Sequence, residues 1–99
     1  MNVVRCPGGY MSWKGMDALK EHLKENNMAS IDWNALNGDA EGKKRSPEEL
    51  MIRFNQSFSN SDIEVILMHD TYGKENTARM LKQLINKLKE EGYTFKTLV

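Results

Sequence analysis

The residue with the most chemistry to offer is His69. It closes an unbroken apolar run, Val65-Ile66-Leu67-Met68, and is followed by Asp70. A histidine at the end of a buried strand can give or take a proton near neutral pH. It can equally be a structural residue hydrogen-bonded to a loop carbonyl. Asp70 either bonds His69 or caps the loop that follows. Arg5 comes directly after Val3-Val4, and its rigid fork of donors can orient a carboxylate or form a surface ion pair. Asp39, in Asn37-Gly38-Asp39, is first of all a turn residue. It becomes chemically interesting only if its loop folds back toward His69. The second histidine, His22, sits among Glu21, Lys24 and Glu25 and reads as part of a solvated helix face.

Other chemistries find little support. With two histidines and one cysteine, no three or four ligands stand at metal-binding spacing, so the spacing alone gives no zinc site. Pro7-Gly8-Gly9 lacks the Lys and Ser/Thr of a phosphate loop. Lys plus Arg and Asp plus Glu number 14 each. That zero net charge gives no broad field to attract a phosphate backbone, so nucleic acid is not an expected partner. No apolar run reaches the roughly 20 residues that cross a bilayer, and no membrane association is expected. The first residues show no basic stretch followed by an apolar one, so a cytoplasmic location is expected. Cys6 alone cannot form an internal disulfide and reads as a small buried filler beside Pro7.

The elements that must position these residues follow from periodicity. Val3 and Val4 centre a strand at 2–5 that runs into a Pro-Gly-Gly turn. Met16, Leu19 and Leu23 recur at helical spacing within 13–26, with Ser12 as a candidate cap. A second strand is predicted at 28–33, where Ala29, Ile31 and Trp33 share a side. A loop over 34–45 follows. Ser46-Pro47-Glu48-Glu49 is a capping-box start for a helix that buries Leu50, Met51, Phe54 and Phe58. The run at 63–68 predicts a strand covered on both faces. Ala78, Leu81, Leu84, Ile85 and Leu88 form the apolar stripe of a helix over 76–91, closed by Gly92. A last strand is predicted at 93–99.

The resulting order, β-α-β-α-β-α-β, predicts an α/β unit with a mostly parallel sheet. Ligands in such folds sit beyond the carboxyl ends of the strands, where Arg5, the segment 32–39 and His69-Asp70 all fall. With 99 residues there is one domain at most, and its core is modest.

Three blocks, in order, resemble the C-terminal half of a polysaccharide deacetylase domain, the NodB-homology type of carbohydrate esterase family 4. VVRCPGG at 3–9 resembles the family's Arg-x-Pro block. SIDWNALNGDAEG at 30–42 is similar to the block with a Trp and a later Asp. VILMHD at 65–70 is similar to the Leu-x-Leu-His block. The ending LINKLKEEGYTFKTL resembles the last helix and strand.

The resemblance implies half of a distorted (β/α) barrel, with residues 1–99 forming a partial domain. It implies the hydrolysis of N- or O-acetyl groups on carbohydrate. His69 takes the place of the catalytic acid, Asp39 of the carboxylate that tunes it, and Arg5 of the arginine that supports the catalytic base. Ile66, Met68 and Trp33 fall in the substrate pocket. Ala40 stands where the family often has Trp. The intact family holds zinc or another divalent metal through an Asp and two His. Those ligands and the base Asp lie in blocks that precede the Arg-x-Pro block. The isolated chain is therefore expected to hold no metal and to be inactive alone. Its expected partners are a second copy, as a dimer, or a missing N-terminal half, together with an acetylated polysaccharide. The alternative is a non-catalytic oligomerising module derived from that fold.

Overall fold

The computed structural model describes residues 2–98. Two compact units are present, Met1–Asp32 with Lys96–Val99, and Trp33–Phe95. Both have α/β character with parallel strand pairs.

In the first unit, β1 (Asn2–Val4) pairs in parallel with β2 (Met28–Ser30), with Val3 opposite Ala29. The chain leaves β1 through Cys6-Pro7-Gly8-Gly9, closed by a bond from the Gly9 amide to the Cys6 carbonyl at 2.8 Å. Proline at the second position and Gly8 at φ +74° are what a type II turn requires. Helix α1 (Asp17–Glu25) then crosses back. It starts later than the periodicity predicts, and Ser12 is not its cap. The Ser12 hydroxyl donates to the Gly8 carbonyl at 2.5 Å and the Trp13 indole to the Pro7 carbonyl at 2.7 Å. Both side chains are thereby used in holding a short 3-10 turn, Tyr10–Ser12. Cys6 and Leu23 are the buried apolar residues of this unit, and Cys6 is a free thiol.

In the second unit, β3 (Ala35–Leu36) pairs in parallel with β4 (Ile66–Leu67). Helices α2 (Pro47–Ser57) and α3 (Glu75–Glu90) pack on each other. Leu50, Met51 and Phe54 from α2 meet Met80, Leu84 and Leu88 from α3, with Ala35 in the same cluster. The capping box of α2 forms as its sequence dictates: the Glu49 amide donates to Ser46 Oγ at 3.1 Å, and the Ser46 amide to Glu49 Oε1 at 3.0 Å.

The strand predicted at 28–33 ends at Ser30, and the segment 34–45, expected to be a loop, contains β3. The predicted single four-stranded sheet is instead two separate two-stranded pairs. The strand at 63–68 is reduced to Ile66–Leu67, because side chains replace its outer rungs. At its start, the Asn34 amide group donates to the Ile63 carbonyl at 2.9 Å and accepts from the Val65 amide at 2.7 Å. The amides of Asn34 and Ala35 both donate to the Val65 carbonyl, a bulge-like two-against-one arrangement. At its end the His69 amide donates to a side chain, described below. Residues 65–68 are accordingly half-buried rather than covered on both faces.

The strand expected at 93–99 is also absent among the described residues, and Val99 lies outside them. The Tyr93 amide donates back to the Leu88 carbonyl and the Gly92 amide to the Lys89 carbonyl, both at 3.0 Å, which closes α3 as a Schellman cap. The Tyr93 hydroxyl donates to the Ser61 carbonyl. Finally, the stripe of α3 is rotated: Thr77, Met80, Leu84 and Leu88 are buried, while Leu81 is exposed. No helix among the described residues is long and apolar enough to cross a membrane.

Candidate functional site

The predicted site residues Asp39 and His69, thirty positions apart, meet in the second unit. Asp39 Oδ1 lies 2.8 Å from His69 Nδ1, and Asp39 Oδ2 accepts the His69 backbone amide at 2.8 Å. One carboxylate thus holds both the ring and the backbone of the same histidine. That second bond is also why β4 stops at Leu67: the amide that would continue the ladder is already committed. The Asp39 side chain is 5% exposed, whereas the His69 side chain is 32% exposed. The acid-binding edge of the ring is therefore enclosed and part of the ring stays open to solvent.

Burial alone would push the Asp39 carboxyl up. The bonds from Thr77 Oγ1, at 2.7 Å, and from the His69 ring and amide outweigh it and hold the group below the ordinary carboxylate value. An ionised carboxylate only accepts hydrogen bonds, so it fixes the proton of the neutral ring on Nδ1. Nε2 then has no partner among the described residues.

The loop carrying Asp39 is held by charge and by glycine. Glu41 binds Arg53 of α2 through two contacts, Oε1 to Nε at 2.7 Å and Oε2 to Nη2 at 3.0 Å, and also takes Arg45 Nη1 at 3.1 Å. The two guanidinium groups, Arg53 foremost, lower the Glu41 carboxyl. Arg45 Nη1 donates to the Gly38 carbonyl at 2.6 Å. Gly38 stands at φ +76°, and a Cβ there would lie 2.6 Å from Arg53 Cγ and would collide with Arg45 Nη1. Lys74 Nζ donates to the Asp39 carbonyl.

The other predicted site residues are placed as follows. Arg5 follows β1 in the first unit and is exposed. Trp33 begins the second unit and is half-buried. Ile66 and Met68 pack against the α2–α3 core and line an apolar cleft of about 260 Å³ with Leu81, Leu88 and Phe95. By the two-residue period of a strand, Leu67 rather than Ile66 or Met68 shares a side with His69. His22 is exposed on α1. A larger cleft of about 660 Å³ in the first unit lies between Tyr10, Lys20, Lys24 and Asp32; of the strand-end segments singled out from the sequence, it includes Asp32 but neither Arg5, Asp39 nor His69.

Sequence reasoning missed Thr77, Asn37 and Lys74, which contact Asp39 or one another. Thr77 carried a readable signal, since it precedes Met80, Leu84 and Leu88 on the buried face of α3. A polar residue on such a face needs a partner. Among the described residues, no three His, Cys, Asp or Glu side chains converge. On their own the described residues do not supply the three or four ligands that a zinc site needs.

No family model matches the chain. A curated bifunctional xylanase/deacetylase of Pseudobutyrivibrio xylanivorans is 34% identical over 70 residues, 70% of this chain and 12% of that protein. A CE4 esterase of Streptococcus mutans superposes with a TM-score of 0.86 at 35% identity, covering 94% of this chain and 42% of its own. The catalytic domain of a peptidoglycan N-acetylglucosamine deacetylase from Eubacterium rectale gives a TM-score of 0.80 at 27% identity, covering 99% of this chain and 47% of its own. The chain thus spans less than half the length of each of these relatives.

Proposed function

From a chain that corresponds to part of a carbohydrate esterase family 4 deacetylase domain, we propose that residues 1–99 form the C-terminal part of such a domain, half of its barrel, and supply the proton-donor side of a deacetylating site. The observation that carries this reading is the double hold of Asp39 on His69. In its protonated form the ring gives Nδ1–H to Asp39 and presents Nε2–H to the leaving amine or alcohol of an acetyl amide or ester. Asp39 stabilises that imidazolium through charge and fixes its orientation. After transfer the ring is left as the Nδ1–H tautomer, held as before. Arg5 would support the catalytic carboxylate supplied by the rest of the domain, and Trp33 and Leu67 would face the acetylated sugar. The substrate class is an acetylated polysaccharide, and the chain alone is expected to be inactive.

The test is a fusion of the N-terminal part of the S. mutans CE4 esterase to this chain, assayed for acetate release from N-acetylglucosamine oligomers. The fusion is expected to be active and the chain alone to stay at background. His69→Ala is expected to lower the fusion's rate by about 10²-fold or more. A folded fusion with no activity, or one indifferent to His69→Ala, contradicts the reading.

A second reading, self-association as a dimer, is favoured by a specific surface. The apolar cleft beside Ile66 and Met68 is rimmed by Leu81, 37% exposed, and Phe95, 53% exposed. A second copy could cover it, with two-fold symmetry the commonest outcome. Light scattering after size exclusion at low micromolar concentration tests this, and a stable species of monomer mass contradicts it.

A further inference from the structure

We propose that Thr77, oriented by Asn37, is a positioning residue that fixes the Asp39 carboxylate and through it the tautomer of His69. This inference rests on the role proposed for His69. It starts from a closed ring of hydrogen bonds. The Asp39 amide donates to Asn37 Oδ1 at 3.1 Å, Asn37 Nδ2 donates to Thr77 Oγ1 at 3.3 Å, and Thr77 Oγ1 donates to Asp39 Oδ2 at 2.7 Å. Each direction is forced by the donor inventory. A backbone amide can only donate, so Asn37 must turn its carbonyl oxygen to Asp39 and its NH₂ group to Thr77. A hydroxyl that accepts from an amide has its single proton free, and the ionised carboxylate is the group that can receive it. Asn37 is fully buried and Thr77 is 7% exposed, so neither can exchange these bonds for water at little cost.

The ring does what the two bonds to His69 cannot do alone. Those bonds tie Asp39 only to the residue it is meant to orient. Thr77 and Asn37 tie it to α3 and to its own loop, so the carboxylate is fixed independently of the histidine ring. Among the charged groups near this loop, Lys74 donates through Nζ to the Asp39 carbonyl, and Lys44 and Arg45 border the same small cleft as Asp39.

The experiment is NMR on the full chain, with Thr77→Val removing the hydroxyl and Thr77→Ser keeping it. In Thr77→Val the Asp39 carboxyl titration is expected to move up toward the ordinary value, because a donor to its anion is lost. Exchange of the His69 Nδ1 proton with water is expected to speed about tenfold, the loosening that corresponds to one hydrogen bond. Thr77→Ser is expected to restore both. His22, the other histidine in the sequence, and the core amides report any general loss of structure. A folded Thr77→Val with wild-type Asp39 titration and wild-type His69 exchange overturns the proposal. If that variant does not fold, the unsubstituted chain decides: a slowly exchanging Thr77 hydroxyl proton supports it, and a freely exchanging one overturns it. These readouts need no activity, so a fusion that fails to release acetate while they hold would sink the deacetylase reading and leave this one standing.

Discussion

The two ends of α3 are built on opposite terms. At its N-terminal turn, Thr77 joins a polar network in which Asp39, Asn37 and the His69 amide all find partners within the unit. Further along, Leu81, Ile85 and Leu88 border an apolar cleft whose rim remains in solvent. The polar end is complete within the 63 residues of its unit, Trp33–Phe95. The apolar end is not. Directional bonds are satisfied locally by a few groups at fixed distances, whereas hydrophobic cover scales with area, and a short chain has little to spare. A polar site of this kind can be complete while an apolar surface beside it stays exposed.

The largest effect is expected in the shared core. Phe54 is fully buried and stacks on Phe58 at 5.1 Å between ring centroids. Phe54→Ala is expected to cost about 3–5 kcal/mol in urea unfolding followed by circular dichroism, most of the stability of a domain this small. Gly38→Ala comes next, at about 2 kcal/mol, since it combines a positive φ with contact on Arg53 Cγ. Its informative readout is the Asp39–His69 pair, which should loosen while the α2–α3 core persists. Ser46→Ala should cost about 1 kcal/mol through loss of the α2 cap and leave the pair untouched.

The smallest effect is a pH dependence. Asp39 has its carboxyl lowered on folding from an ordinary value of 3.8, so its stabilising contribution is complete above that value. It is lost as pH falls below 3.8 and through the folded value. Acid unfolding of the chain against an Asp39→Asn variant isolates it. The difference between the two should shrink as pH drops, and a difference that grows in acid would contradict the assignment.

What the sequence discloses follows the range of the interactions. Ser46, Pro47 and Glu49 act within one turn, and the capping box they spell is the one that forms. The approach of Asp39 to His69 spans thirty residues, and the residues themselves leave it open; the resemblance to a deacetylase family supplies the pairing. The strands are shorter than the apolar runs predict, for a physical reason. Apolar runs report burial, but the length of a ladder depends on which groups occupy its amides. Asn34 and Asp39 take the ends of β4 with their side chains. Ser57 does the same to β3: its Oγ accepts the Leu36 amide at 3.0 Å and donates to the Leu36 carbonyl at 2.9 Å. No periodicity records such substitutions. The offset on α3 has a related cause, since the helix turns a threonine inward to reach a carboxylate.

The measurement that bears most directly on the account is the tautomer of His69 in the isolated chain, read from the ¹⁵N shifts of its two ring nitrogens with His22 as the exposed reference. The neutral ring is expected to carry its proton on Nδ1, bound to Asp39, with Nε2 bare and open to take up the proton that the proposed donor role requires. A proton found on Nε2, or a mixture of the two tautomers, would mean that Asp39 does not orient the ring, and the proposed proton-donor site would not be preformed in this chain.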